Sequence, residues 1–142
     1  MKIDPRHSRI GKVRQTKNSR RDSIGAGGNV HMNFGGICIV TDNAPRLAEF
    51  YQIVLQEEPF AEGSHYSFGN MAVYDPGEVT MAKEKNIWLQ CFVADLDSEY
   101  QRLLREIPGI EIISPPERKP WGAYSFWFTD PDGNKIAVAQ KG

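Results

Sequence analysis

From residue 33 onward, apolar and polar positions follow two periods, and the period switches at recognisable turn residues. Phe34–Thr41 is an apolar run with β-branched residues, which predicts a strand. Asp42-Asn43-Ala44-Pro45 supplies capping side chains and an early proline, so a helix starts there. Leu47, Phe50, Tyr51, Val54 and Leu55 then recur at the spacing of one helical face. Pro59 stops anything that continues. Residues 57–62, 65–69 and 71–75 read as short strands, with turns at Gly63-Ser64 and Gly69-Asn70. Asp75-Pro76-Gly77 is a further turn, and Glu78–Lys85 reads as a polar linker.

The pattern then begins again. Ile87–Ala94 predicts a strand that ends in Asp95. Leu96, Tyr100, Leu103, Leu104 and Ile107 form a second apolar helical face, and Asp95, Asp97 and Glu99 suit the positive end of that helix. Pro108-Gly109 ends it. A short strand at Glu111–Ser114 precedes a Pro/Lys-rich loop, Pro115–Pro120. The chain closes with a hairpin, Tyr124–Gln140, around Asp130-Pro131-Asp132-Gly133-Asn134, whose residues are the ones tight turns demand. With Thr129 opposite Lys135, Phe126, Phe128, Ile136 and Val138 share a core face. Ser125, Trp127, Ala137 and Ala139 share the other, which mixes a large aromatic with small residues and suits a cavity wall.

The restart is an internal repeat with an offset of 53 residues: Cys38-Ile-Val-Thr-Asp42 aligns with Cys91-Phe-Val-Ala-Asp95. Each half reads strand, helix, three strands. The fold class is therefore α+β, two βαβββ modules at about 33–85 and 86–142. One module cannot bury both faces of its sheet, so the two pair, with helices on the convex side and strands curving around a cleft.

Charge divides the chain differently. Residues 1–32 carry eight Lys/Arg and two Asp, a net +6, whereas residues 33–142 carry −7. The acidic part favours neutral or cationic ligands over nucleic acid. The basic arm is polar and Gly-rich and reads as flexible. It is a nucleic-acid or membrane-surface arm, a passive tail, or sequence upstream of a natural start at Met32; its scattered charges and lack of aromatics favour the last two. Two cysteines, Cys38 and Cys91, make no disulfide framework or zinc spacing and point to reduced thiols in the cytoplasm. No apolar run is long enough to span a membrane.

The two βαβββ halves, the Val-x-Asp ending each first strand, the helical Phe50-Tyr51-x-x-Val54-Leu55, and Trp121-Gly122 followed by Phe128-Thr-Asp-Pro-Asp-Gly-Asn134 together resemble the vicinal oxygen chelate superfamily. That superfamily includes glyoxalase I, extradiol dioxygenases, fosfomycin-resistance enzymes and bleomycin-resistance proteins. The resemblance covers roughly residues 33–140 and implies a curved mixed-sheet cup, usually in a homodimer, with a ligand in the concavity. It also implies where a metal would be held. The ligand positions of metal-using members fall on Gly35, Trp88 and Ala137, with a fourth on Met71–Tyr74. Gly, Trp and Ala offer no donor, and neither Met71 nor Tyr74 makes an ordinary hard-metal site, so no metal and no cofactor is expected. His7, His31 and His65 supply no second donor at a fixed spacing. Cys38 and Cys91 fall on the alternate face and are expected to pack against the helices.

The expected cup wall comprises Gly35, Ile37 and Ile39, then Trp88, Gln90 and Phe92, then Ser125, Trp127, Ala137 and Ala139, with Trp121 at the rim and Tyr74 and His65 as weaker rim residues. That wall suits a small-molecule pocket. Plain core packing is the competing role for Trp88 and Trp127. The leading expectation is a metal-independent protein of the glyoxalase/bleomycin-resistance type that sequesters an aromatic or cationic compound. One alternative is a metal-dependent lyase or dioxygenase with a displaced site drawing on Glu58, His65, Glu78 or Glu84. Another is a regulatory or structural module with a collapsed cup.

Overall fold

The computed structural model describes residues 31–141, so the basic arm, apart from His31 and Met32, lies outside the described residues. The first half contains β1 (Ile37–Val40), α1 (Ala44–Leu55), β2 (Phe60–Glu62), β3 (His65–Ser67) and β4 (Met71–Tyr74). The second contains β5 (Trp88–Val93), α2 (Leu96–Glu106), β6 (Glu111–Arg118), β7 (Tyr124–Thr129) and β8 (Lys135–Gln140). Each half forms its own four-stranded mixed sheet, ordered β1-β4-β3-β2 and β5-β8-β7-β6. In both, the first strand of the half pairs in parallel with the last, and the remaining pairs are antiparallel. No described helix is long and apolar enough to cross a membrane.

One apolar core joins the halves. Leu47, Phe50 and Tyr51 of α1, Leu96 and Leu103 of α2, and Met71, Val73, Phe126, Phe128, Ile136 and Val138 of the sheets belong to it. Phe50 crosses to the second half, its ring centroid 6.1 Å from that of Phe128. Full burial of such a side chain contributes about 1.5–3 kcal/mol. The closing hairpin has the expected register, Thr129 opposite Lys135, and turns Phe126, Phe128, Ile136 and Val138 into the core.

Polar contacts also join the halves. Arg102, 7% exposed, donates to the carbonyls of Ile53 and Val54, which end α1, at 2.9 Å each. Its charge is met by Glu99 and Glu106 on its own helix at 2.9 and 3.0 Å. Thr41 Oγ1 donates to Asp132 at 2.6 Å, and Tyr51 Oη donates to Asp130 at 2.7 Å.

Two expectations are corrected. β6 runs on through Pro115 and Pro116 to Arg118, where a loop was expected. β6 is the outer strand of its sheet, and an edge strand tolerates prolines because a missing N–H can face solvent. The pairing with β7 shifts register twice along this stretch. The repeat offset is 52, not 53. The capping residues Asn43 and Asp95 each accept from the amide three residues on, and 52 residues separate them. At that offset Ala44 matches Leu96, both fully buried, and Tyr51 matches Leu103, both 2% exposed. A one-residue slip exchanges the faces of a strand. Ile37 and Ile39 therefore pack against the core, as Leu89 and Cys91 do, and Cys38 with Val40 faces outward.

Candidate functional site

The outward face of the second sheet is built from three adjacent strands. β8 runs between β5 and β7 and presents Lys135, Ala137 and Ala139 outward, Lys135 in register with Trp88, since Ile136 and Val138 face the core. Gln90 and Trp127 flank Ala137 in register, and Phe92 and Ser125 flank Ala139. Paired strands lie about 4.8 Å apart, so the two walls stand roughly 10 Å apart across a floor of methyl groups. The result is a trough.

One end of the trough is filled. The indoles of Trp88 and Trp127, from opposite walls, meet edge to face with centroids 5.0 Å apart and planes at 64°. They converge over β8, which accounts for Ala137 being only 6% exposed although it faces outward. The other end is open. Trp88 is 52% and Phe92 60% exposed, large apolar areas for one face of a small domain.

The structure thus brings Trp88, Gln90, Phe92, Ser125, Trp127 and Ala137 to one face. Ile39 is not among them: it packs against the core from the helix side, in the phase that the 52-residue offset between the caps Asn43 and Asp95 gives. Gly35 lies in the exposed stretch before β1. Trp121 projects into solvent at the turn between β6 and β7. Cys38 is exposed on the outward face, and only Cys91 packs toward the helices as expected. Desolvation pushes both thiols above their ordinary value, the opposite of what activates a nucleophile.

The first sheet presents Cys38, Val40, Phe60, His65 and Tyr74 outward. Sequence reasoning missed Val40 and Phe60 as wall residues; the paired caps, Asn43 and Asp95, were the signal that could have found Val40. His65 and Tyr74 sit opposite each other with ring centroids 5.6 Å apart. Burial lowers the His65 pKa, with Glu62 opposing. A lowered histidine binds its proton later in the folded chain than in the unfolded one. Its contribution is therefore present above the unfolded value, about 6.5, and is lost as pH falls through it. Urea midpoints at pH 7 and 5.5 are expected to fall less in His65→Gln than in the parent; equal falls reject this account.

The residues do not fit a metal at the superfamily's position. At the corrected offset, Trp88 corresponds to Gly36, whose φ is +142° and whose Cβ, if added, would meet the Asn70 carbonyl oxygen at 2.0 Å. No side chain can stand there, let alone a ligand. Trp88 offers no donor, and Ala137 lies beneath the indole pair. Among the described residues no group of three or more His, Cys, Asp and Glu converges to hold an ion. Glu58, His65, Glu78 and Glu84 therefore form no displaced site of that kind.

A groove of about 460 Å³ lies elsewhere, between the end of α1 and the β5–α2 junction, lined by Val54, Leu55, Cys91, Leu103, Phe126 and Val138. Three of these, Leu103, Phe126 and Val138, are at most 4% exposed core residues. The groove is a seam between the halves, whereas the trough offers exposed aromatic faces. The trough is the better candidate.

The family model of the glyoxalase-like domain matches residues 34–141. No curated protein matches the chain. Among solved structures, a protein of unknown function from Agrobacterium tumefaciens str. C58 is 25% identical with a TM-score of 0.69, covering 80% of this chain and 98% of its own. A member of the glyoxalase/bleomycin resistance protein/dioxygenase superfamily from Sphaerobacter thermophilus is 20% identical with a TM-score of 0.62, over 78% and 98%. A glyoxalase/bleomycin resistance protein/dioxygenase from Nocardioides is 21% identical with a TM-score of 0.64, over 79% and 85%. Two βαβββ halves, the shared core and the matched segment thus agree: the chain belongs to the glyoxalase-like domain family of the vicinal oxygen chelate superfamily.

Proposed function

We propose that the protein binds a flat aromatic small molecule, neutral or cationic, in the trough of the second sheet, without a metal and without transforming it. The carrying observation is the Trp88–Trp127 pair, with Trp88 half exposed and at a position where the resemblance puts a metal ligand in metal-using relatives. An indole pair at that place excludes an ion and its waters and offers flat faces for stacking. The net −7 of residues 33–142 favours a cationic ligand. The superfamily to which the glyoxalase-like domain belongs includes bleomycin-resistance proteins, which give the reading its functional parallel. The open trough and the exposed Val40 and Phe60 of the first sheet support a homodimer in which a second copy covers the ligand. Unpaired thiols are in keeping with a reducing cytoplasm.

Trp88→Ala tests the reading. Loss of one stacked face, about 0.5–1.5 kcal/mol, is expected to weaken binding of an aromatic cation such as proflavine roughly 2- to 10-fold. Because Trp88 is half exposed, the denaturant midpoint should move little. A stability loss of about 3–5 kcal/mol with unchanged affinity would assign Trp88 to the core instead. Elemental analysis of protein purified without chelator checks metal independence; a stoichiometric transition metal required for a turnover overturns it.

A further inference from the structure

The trough contains one polar group that its surroundings do not explain. Ser125 faces outward on β7, in register with Ala139 and two residues from Trp127. It is only 5% exposed. The neighbouring side-chain bonds run from Tyr124 Oη to Asp97 and from Arg118 to the Gly122 carbonyl, and no partner for the Ser125 hydroxyl is found among the described residues. Buried hydroxyls without partners are rare because desolvation is not repaid. Alanine would fill the same space with no polar atom, as it does at Ala137 and Ala139.

We propose that Ser125 Oγ is the polar contact of the trough and selects a flat aromatic ligand bearing a hydroxyl, amino or carbonyl group on its edge. The inference rests on the trough being the binding site. Its geometry follows from the strands. Residues two apart on one strand face are about 6.8 Å apart, roughly a ring's width with its substituent. A ring laid over Ala139 and against the open side of the Trp88–Trp127 pair therefore carries an edge group to Ser125, while Phe92 closes the far wall. Gln90 stands on that wall too, but it is exposed, so water satisfies it and it discriminates weakly. A buried hydroxyl discriminates more, because a ligand lacking the group leaves it unpaired.

The test uses 2-naphthol and 2-methylnaphthalene, which share a ring system and nearly a size and differ in hydroxyl against methyl. Their affinities for the full chain and for Ser125→Ala are measured by calorimetry. The quantity read is the change in the naphthol-to-methylnaphthalene affinity ratio between the two proteins, which cancels the probes' different hydration. The ratio is expected to fall about 3- to 10-fold in Ser125→Ala. Ser125→Cys, with a weaker donor of similar shape, should give a smaller fall and serves if the alanine variant is not folded. Both probes binding with an unchanged ratio overturns the role of Ser125 and leaves the trough standing. Neither probe binding the parent protein removes the trough itself, and both readings fall.

Discussion

Asp130→Ala is expected to lower stability by about 3–5 kcal/mol, because each buried donor left without its partner costs about 1–3 kcal/mol and several lose theirs together. The carboxylate is 3% exposed and accepts four hydrogen bonds. Oδ1 takes the amides of Asp132 and Asn134 at 2.9 Å each, which shape the closing turn. Oδ2 takes Asn134 Nδ2 at 2.8 Å and Tyr51 Oη at 2.7 Å. The last bond ties α1 of the first half to the hairpin of the second. Alanine strands all four donors at once. A denaturant midpoint shift equivalent to less than about 1 kcal/mol, the net worth of one ordinary hydrogen bond, would reject this account.

The same contact predicts an alkaline limit. Burial, then the Asp130 charge and hydrogen bond, push the Tyr51 phenol far above its ordinary value. Above about pH 10 the unfolded chain loses this proton while the folded chain keeps it, so stability falls as pH rises. Tyr51→Phe should flatten that fall while lowering stability at neutral pH.

Gly36→Ala is the second large effect, expected to destabilise by about 3 kcal/mol or more. Two penalties combine. A backbone φ of +142° is foreign to L side chains, and such strain costs about 1–3 kcal/mol. The new Cβ would also lie 2.0 Å from the Asn70 carbonyl oxygen, which is backbone and accepts the Ile37 amide at 3.0 Å where β1 joins β4. Relief of the clash must open that pairing. Gly35→Ala is the control: nothing lies within 4 Å of its Cβ, and a change under about 0.5 kcal/mol is expected. Thermal melts of the two variants settle the point; equal behaviour would show that the close approach at Gly36 is not real. The result bears on function, since it forbids a donor side chain at the first-half position equivalent to Trp88.

By itself the sequence determined the two helices, the closing hairpin and the doubling of the βαβββ unit. These rest on local periods and turn chemistry, which neighbouring residues enforce: the spacing of Leu47, Phe50, Tyr51 and Val54, or the Asp130–Asn134 turn that sets Thr129 opposite Lys135. It also placed Trp88, Gln90, Phe92, Ser125, Trp127 and Ala137, because strand alternation counted from a correct turn or cap fixes the face. The tertiary structure decided what depends on a partner distant in sequence. Ile39 went to the core because burial against the shared core, not the likeness of Cys38 to Cys91, sets the phase of β1. Pro115 and Pro116 stayed in a strand because β6 is an edge, a property of sheet order. The meeting of Trp88 and Trp127 over Ala137, and the burial of Ser125, arise from strands β5, β7 and β8 lying side by side, and local periodicity does not encode how far side chains reach across a sheet.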